Sequence, residues 1–365
     1  MTILVDLKER IQHQFGSGHF CEDDYSFLQP GGNDHLVQFL FKNFSDEYWE
    51  LDEWNRHHLL LIDIAASLDL QFNLDEDGRF AVLVNPVKSS GRQVQAIIDL
   101  RDDLLAIIYY FGDIKKCMRL NQRFVQSALF HPCFIDSSMF LRIIDVFERI
   151  IGIEYDFEQS PALFLEPVIL KGQLRGNLVH QMFAEYSERF FNYLNICVLS
   201  GYLTDGAQGS ITLYADGAIR TDACRLSSFI EIVSYVLDFL TRKYQTLSRN
   251  YLIQWQQHSQ HRVHKLAGNP IEIELPFSVE IIDGLLKQLT NGNKDSMFLG
   301  ISERVSRKLW SIKSTEIKTA EQIEFEVSDK LIRIFLREHR AIPLYDKVEK
   351  FFRKHVSANL ENWNH

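Results

Sequence analysis

The sequence predicts a mainly α protein, a multi-helix bundle with two β-hairpin insertions and a helical C-terminal domain. Three observations lead to this fold class. Apolar residues recur at the 3.6-residue spacing of an amphipathic helix over most of the 365 residues. Two segments instead alternate apolar and polar residues around an Asp-Gly pair. The composition, 46% hydrophobic and 12% aromatic, is ample for a buried core, and the length favours two or three domains.

The first part of the chain is predicted to be helical and acidic. Helical spacing is present over residues 3–11 and 36–40, and in a longer run over residues 47–68. Residues 1–110 contain 8 Lys and Arg against 19 Asp and Glu, whereas residues 301–355 contain 13 against 9. We therefore expect an acidic N-terminal region, residues 1–90, that offers a surface to a protein partner.

Two β-hairpins interrupt the helical pattern. Residues 70–85 alternate on both sides of Asp77-Gly78, and residues 209–222 do so around Asp216-Gly217. An Asp-Gly pair supplies the positive φ angles that a tight reversal needs. Each hairpin is expected to lead into a long helix, over about 91–111 and 223–265.

The remaining elements are also predicted to be helices, with one short strand. Four helices between the hairpins are expected at about 113–130, 136–151, 161–173 and 178–200. The stretch IEIEL, residues 271–275, alternates as a strand does, and helices follow at about 278–290, 299–311, 319–339 and 342–356. A boundary near residue 267 separates a helical bundle, residues 91–266, from a C-terminal domain, residues 267–365.

Several classes of protein are disfavoured by what the sequence contains. The apolar runs stay short of about 18 uncharged residues, so no membrane span is expected. The charged N-terminus lacks the pattern of a secretory signal, and the five cysteines are scattered, which together favour a cytoplasmic protein with reduced thiols. Phosphate-loop, dinucleotide, serine-hydrolase and zincin motifs do not occur, so we expect neither a metal nor a cofactor.

The strongest candidate for a catalytic site is the stretch LRGNLVH, which places Arg175 five residues before His180. This stretch resembles the hallmark of the HEPN family of small helical-bundle domains, Arg-x(4–6)-His with a polar residue soon after the arginine. Asn177 would be that polar residue, although it stands one place later than in many members. The resemblance covers residues 91–247 at most.

The resemblance implies metal-independent binding and cleavage of RNA, in toxin or antiviral defence, by a homodimer. Arg175 would bind the scissile phosphate, because its guanidinium is always protonated. His180 would act as general base or acid, since an imidazole titrates near neutral pH, and Asn177 would orient the reacting groups. The alternative interpretation of the pair is a capped helix start that contains a histidine whose hydrogen bonds are satisfied.

A second candidate is a segment without carboxylates, residues 239–271, which mixes basic and aromatic side chains. Such a surface suits phosphates and stacked bases, so RNA is the expected partner. Its members are Arg242, Lys243, Arg249, Tyr251, Trp255, Arg262 and Lys265. The same pattern fits a helix with an aromatic core face and a solvated basic face. A non-catalytic helical scaffold or adaptor for protein partners is therefore the alternative function.

Overall fold

The structure, a computed structural model, describes most of the chain in segments. They are residues 35–44, 46–83, 95–111, 113–143, 147–159, 168–176, 178–181, 185, 195–203, 209–222, 226–258, 263–274, 286, 289, 290, 298–317 and 320–355.

The largest element is an eleven-stranded antiparallel sheet. Its strands are β1 (His35–Lys42), β2 (Phe72–Leu74), β3 (Phe80–Leu83), β4 (Gln95–Asp99), β5 (Leu105–Phe111), β6 (Phe130–Pro132), β7 (Phe147–Gln159), β8 (Val168–Arg175), β9 (Asn195–Leu203), β10 (Ser210–Tyr214) and β11 (Ala218–Asp222). The spatial order is β2-β3-β4-β5-β1-β11-β10-β9-β7-β8, and β6 also pairs with β1. β1, the first of the described strands along the chain, therefore lies in the middle of the sheet.

A second sheet and a separate hairpin follow in the chain. The hairpin is β12 (Gln254–His258) and β13 (Val263–Ala267). The five-stranded sheet contains β14 (Ile271–Glu274), β15 (Phe298–Ser306), β16 (Leu309–Glu316), β17 (Gln322–Ser328) and β18 (Leu331–Phe335). Its order is β14-β18-β17-β16-β15, so β15 is an edge strand.

Helices cover the sheets. They are α1 (Asp46–Trp49), α2 (Glu53–Leu68), α3 (Ile114–Gln126), α4 (Ser137–Ile143), α5 (Leu226–Thr246) and α6 (Ile342–His355). A π-helical turn, Leu247–Tyr251, extends α5, and a 3-10 turn, His339–Ala341, precedes α6. No helix within the described segments combines the length and the apolar character that crossing a membrane requires.

Two adjacent strands of the eleven-stranded sheet, β1 and β5, are buried on both faces. Every residue of β1 and β5 is buried, although neighbouring side chains point to opposite sides. Leu36 and Leu40 belong to a core with α2 and α3. Phe39 and Phe41 belong to a larger core that includes α5, α6 and the five-stranded sheet. The buried Gln38 makes a specific polar contact in this layer, because its Nε2 donates to the Asp216 carbonyl at 2.7 Å.

The predicted helical bundle is wrong. The described residues hold more strand than helix, arranged in two antiparallel sheets. The expected helix over residues 91–111 is β4 and β5, and the C-terminal helices over 299–311 and 319–339 are β15 to β18. The helical descriptions of residues 91–266 and of the C-terminal region were part of that fold class, so they are corrected with it. The all-α assignment is wrong for the same reason. The domain boundaries near residues 90 and 267 stay predictions.

The error has a physical cause. A strand buried on both faces, such as LAIIYYF of β5, contains a continuous apolar run that also satisfies helical spacing. Length and β-branched content separate the two, and seven residues rich in Ile and Tyr favour a strand. In β17 the alternation that marks a strand is plainer, because Ile323, Phe325 and Val327 are buried while the residues between them are less buried.

Both hairpins are confirmed. The first is β2 and β3, with Gly78 at φ 71°, and the second is β10 and β11, with Gly217 at φ 78°. A Cβ at Gly217 would lie 2.7 Å from the Cys133 carbonyl oxygen, so this turn also needs the missing side chain for a close approach. The strand in IEIEL is β14, and the helices near 113–130 and 342–356 are α3 and α6.

Candidate functional site: a cleft between α4 and α5

The core-facing side of α5 carries Ile232, Val236, Leu240 and Tyr244, which recur every four residues and are buried. The neighbouring side of the helix places Tyr235, Phe239, Arg242 and Thr246 in one row, at spacings of four, three and four residues. Tyr235 and Arg242 are exposed, whereas Phe239 is partly buried against the core. Positions separated by three and four residues lie on the same side of a helix.

This face borders a cleft of about 310 Å³. Its lining residues come from α5, from α4 and from the residue before α4: Asp136, Arg142, Tyr235, Asp238, Phe239, Arg242, Lys243 and Thr246. The volume is at the lower end of the range for small-molecule sites. It suits one small ligand or one monomer unit of a polymer.

Two guanidinium groups reach the cleft from different helices. Arg142, at the end of α4, lies with its guanidinium carbon 5.7 Å from the centre of the Phe239 ring. The Tyr235 hydroxyl donates a hydrogen bond of 3.2 Å to the Arg142 carbonyl, which ties α5 to α4. Arg142 and Arg242 are both exposed. A cation stacked on an aromatic face keeps its N–H donors free at the edge for an anion.

The third cation of the cleft, Lys243, is already paired. Its Nζ lies 2.7 Å from Asp346 Oδ1 and 3.3 Å from Glu349 Oε2, both on α6. It donates hydrogen bonds of 3.3 Å to Glu349 Oε2 and to the Phe134 carbonyl, so two hydrogen bonds and the ion pair with Asp346 hold the ammonium group. The Tyr244 hydroxyl and the Phe134 N–H both donate to the other oxygen of Asp346. The network fastens α5 to α6 and to the segment before α4.

The buried network contains more carboxylates than ammonium groups. Burial acts to lower the pKa of Lys243, but Asp346, Glu349 and Asp136 outweigh it and raise the pKa above its usual value. Burial raises the pKa of Asp346, and the nearby Glu349 adds to that rise. Both directions follow from one buried ammonium facing two buried carboxylates. The lysine therefore stays protonated and acts as a structural cation.

A second buried lysine, Lys42 at the end of β1, has a different environment. Its Nζ donates to the Leu100 carbonyl at 3.2 Å and lies 3.4 Å from His57 Nε2. The His57 Nδ1 is 2.7 Å from the Gly78 carbonyl, so it carries the proton and leaves Nε2 as the acceptor. Burial lowers the pKa of Lys42 to about 8, against the opposing effect of Asp102 and Asp103. Burial and the Lys42 charge lower the pKa of His57 to about 4.

The structure brings only part of the predicted basic and aromatic segment to the cleft. Arg242 lies there, but Lys243 is held in the buried network. Arg249 is exposed on the π-helical turn, and Tyr251 packs partly buried against the core. Trp255 and Lys265 lie on β12 and β13, where side chains are not described, and Arg262 lies outside the described residues.

Sequence reasoning missed Arg142 and Phe239 as partners of Arg242. Phe239 carried a detectable signal, since it stands three residues before Arg242 within the same helix. Arg142 carried none, because it lies on another helix about a hundred positions earlier and no local pattern links the two.

Arg175 and His180 contact different places on β7. The Arg175 guanidinium is exposed and lies 3.8 Å from Glu154. His180 is partly buried, and its Nδ1 accepts a hydrogen bond of 3.3 Å from the Ile150 N–H. Positions 150 and 154 are about 13 Å apart along a strand, so the two side chains contact groups of β7 that are not adjacent. Asn177 lies outside the described residues, so the proposed catalytic set stays a prediction.

The helical fold that the HEPN resemblance implies is not the fold of this chain. Arg175 ends strand β8, and the region over which the resemblance extends holds β4 to β11. The ribonuclease and defence roles, which depended on that helical family, lose their basis with the corrected fold.

The comparison with family models finds a match over part of the chain. Residues 212–341 match a model described as "MJECL33-like protein", which is 130 of the 365 residues. The match contains α5 and therefore Tyr235, Phe239 and Arg242, whereas Arg142 and Asp346 lie outside it. No curated protein matches the chain. The chain is thus similar to an MJECL33-like protein over about a third of its length.

Proposed function

We propose that the protein is a non-catalytic RNA-binding protein that holds one single-stranded nucleotide in the cleft between α4 and α5. The observation that supports this function is the approach of Arg142 and Arg242 from two helices to one opening beside the Phe239 ring. Neither guanidinium has a carboxylate within salt-bridge distance in the described part of the chain.

The chemistry of these side chains suits a nucleotide. An arginine binds a phosphate through two parallel N–H donors, and two arginines fix its position. The exposed Tyr235 offers a ring face on which a base stacks, which is how single-stranded RNA is commonly held, whereas the Phe239 ring supports the Arg142 guanidinium. Lys243 is not assigned a ligand, because its ammonium group is already held by two hydrogen bonds and by the ion pair with Asp346.

Charge and size limit the length of RNA that is bound. The chain has a net charge of -10, so it does not attract an extended phosphate backbone over its whole surface. Arg142 and Arg242 share the cleft of about 310 Å³ with Asp136 and Asp238, so they neutralise about one phosphate. The logarithm of the affinity should therefore fall with the logarithm of salt concentration at a slope of about -0.7.

Fluorescence anisotropy with a labelled ten-nucleotide single-stranded RNA tests the proposal. Arg242→Ala and Arg142→Ala should each weaken binding about tenfold, because each removes a charged hydrogen-bond donor from the phosphate. Tyr235→Ala should weaken it by a similar factor through lost stacking. Arg249→Ala is the matched control, since this arginine is also exposed, on the adjoining turn, but lies outside the cleft.

Two outcomes would contradict the proposal. An equal loss with Arg249→Ala would place RNA on the basic segment as a whole and not in the cleft. An absence of binding at 50 mM salt would remove RNA as the ligand and leave the protein-adaptor function as the remaining candidate.

A further inference from the structure

The edge strand β15 exposes apolar side chains. Ile301 is 79% exposed and Leu299 is 59% exposed, and the two lie on the same face because they are two residues apart. Six consecutive residues of this strand, 301–306, are exposed. Several large aliphatic side chains this exposed, in one row on the protein surface, are unusual.

The backbone of this strand has a hydrogen-bonding partner on one side only. In the described sheet β15 pairs with β16 and with no other strand, so its outer row of N–H and C=O groups faces outward. Natural edge strands are usually protected by proline, charged side chains, bulges or short length. β15 has nine residues, and its first five, residues 298–302, contain neither proline nor a charged side chain, whereas Glu303, Arg304 and an irregularity in the pairing lie toward its end. The uncharged part of this edge, with its apolar face, is a template for another strand.

We propose that β15 pairs antiparallel with β15 of a second copy of this chain, about a two-fold axis at Ile301. The regular pairing of β15 with β16 covers 298–304 before an irregularity between Arg304 and Ser306, and Ile301 is the middle of that stretch. Centring on Ile301 therefore uses the whole regular stretch. The irregularity ends the pairing, since a bulge bends a strand away.

This register is complementary to itself. Ile301 faces the partner's Ile301, and Leu299 on each side lies diagonal to it, so the exposed apolar side chains cover one another. Glu303 faces the partner's Leu299, and Gly300 faces the partner's Ser302. No two like charges stand opposite each other. A symmetric pair of identical patches closes as a dimer and leaves no further edge of this kind.

Light scattering on the full-length chain over a concentration series tests the dimer. The wild type should be dimeric at tens of micromolar, and Ile301→Glu should weaken dimerisation at least tenfold because two carboxylates would meet at the axis. Ile317→Glu is the control, because Ile317 is 52% exposed but follows β16. The dimer should persist in 500 mM NaCl, since apolar burial and backbone hydrogen bonds are not screened by salt.

Cross-linking tests the register. Ile301→Cys should form an intermolecular disulfide on mild oxidation, because opposite Cα atoms in an antiparallel pair lie about 4.5 to 5.5 Å apart. Ser302→Cys should not, since it would face the partner's Gly300 and its own copy would be too distant. The oxidised wild type controls for the native cysteines. A monomeric wild type at 200 micromolar, a dimer that survives Ile301→Glu, or stronger cross-linking at residue 302 would each overturn the proposal.

Discussion

Lys42 and Lys243 are both buried, yet the fold stabilises the ammonium form of Lys243 and destabilises that of Lys42. Lys243 lies within salt-bridge distance of two carboxylates, and its pKa is raised. Lys42 contacts a backbone carbonyl and a neutral imidazole, and burial lowers its pKa to about 8. The carboxylates Asp102 and Asp103 act on Lys42 only from a distance.

The difference between the two lysines shows at which site a buried charge stabilises the folded state and at which site it destabilises it. A buried ion pair makes removal of one partner strongly destabilising, because the other partner is left charged and unpaired. A buried ammonium without a carboxylate in contact destabilises the folded state for as long as it is protonated. The α5–α6 joint therefore depends on Lys243, whereas the end of β1 tolerates Lys42.

The largest expected effect is that of Lys243→Met. The substitution leaves Asp346 and Glu349 buried without a cation, so the free energy of unfolding at pH 7 should fall by about 3 to 5 kcal/mol. Urea denaturation monitored by circular dichroism measures this change. Lys308→Met is the control, because Lys308 forms an exposed pair with Asp329 and should leave the midpoint unchanged. A loss for Lys243→Met no larger than that of the control would contradict the structural role.

The next effect is that of Lys42→Met on the pH dependence of stability. Between pH 8 and pH 10.5 the unfolded chain binds more protons than the folded chain at this lysine, so wild-type stability rises with pH over that window. The rise attributable to Lys42 amounts to roughly 3 kcal/mol at most, which is the free-energy equivalent of lowering its pKa from 10.5 to about 8.

In Lys42→Met this rise should disappear. Stability at pH 7 should change little or increase, because the lost charge offsets the unpaired Leu100 carbonyl. Denaturation of both proteins at pH 7, 8, 9 and 10 gives the comparison. Parallel curves would show that Lys42 titrates normally and that the contrast with Lys243 is wrong.

The smallest effect is a change in the pKa of His57. Burial is the larger cause of its low value and the Lys42 charge the second, so Lys42→Met should raise the pKa above about 4 but leave it below 6.5. In the wild type the unfolded state binds more protons at His57 between pH 6.5 and pH 4, so stability falls as the pH falls through that range. NMR titration of the imidazole signals measures the pKa, and a value that is unchanged would mean that Lys42 does not act on His57.

Local signals were sufficient for some elements and insufficient for others. The Asp-Gly turns identified both hairpins, because a positive φ angle is required by the turn itself. Strands β1 and β5 were mistaken for helices, since burial on both faces removes the alternation that marks a strand. The cleft could be predicted only from the α5 side, through Arg242 and Phe239. Arg142 and the carboxylates on α6 are brought in by tertiary packing, which no spacing along the chain records.

The central position of β1 has a consequence for how the protein is made. Gln38 reaches the Asp216 carbonyl across 178 residues of chain, and β1 is the neighbour of β11. β1 is synthesised before β11, so it must wait for this neighbour until residue 222 has been synthesised, whereas β5 and β6 follow it sooner. Pairing over such a separation slows folding and exposes a strand that is apolar on both sides in the meantime. We expect the nascent chain to depend on chaperones during that interval.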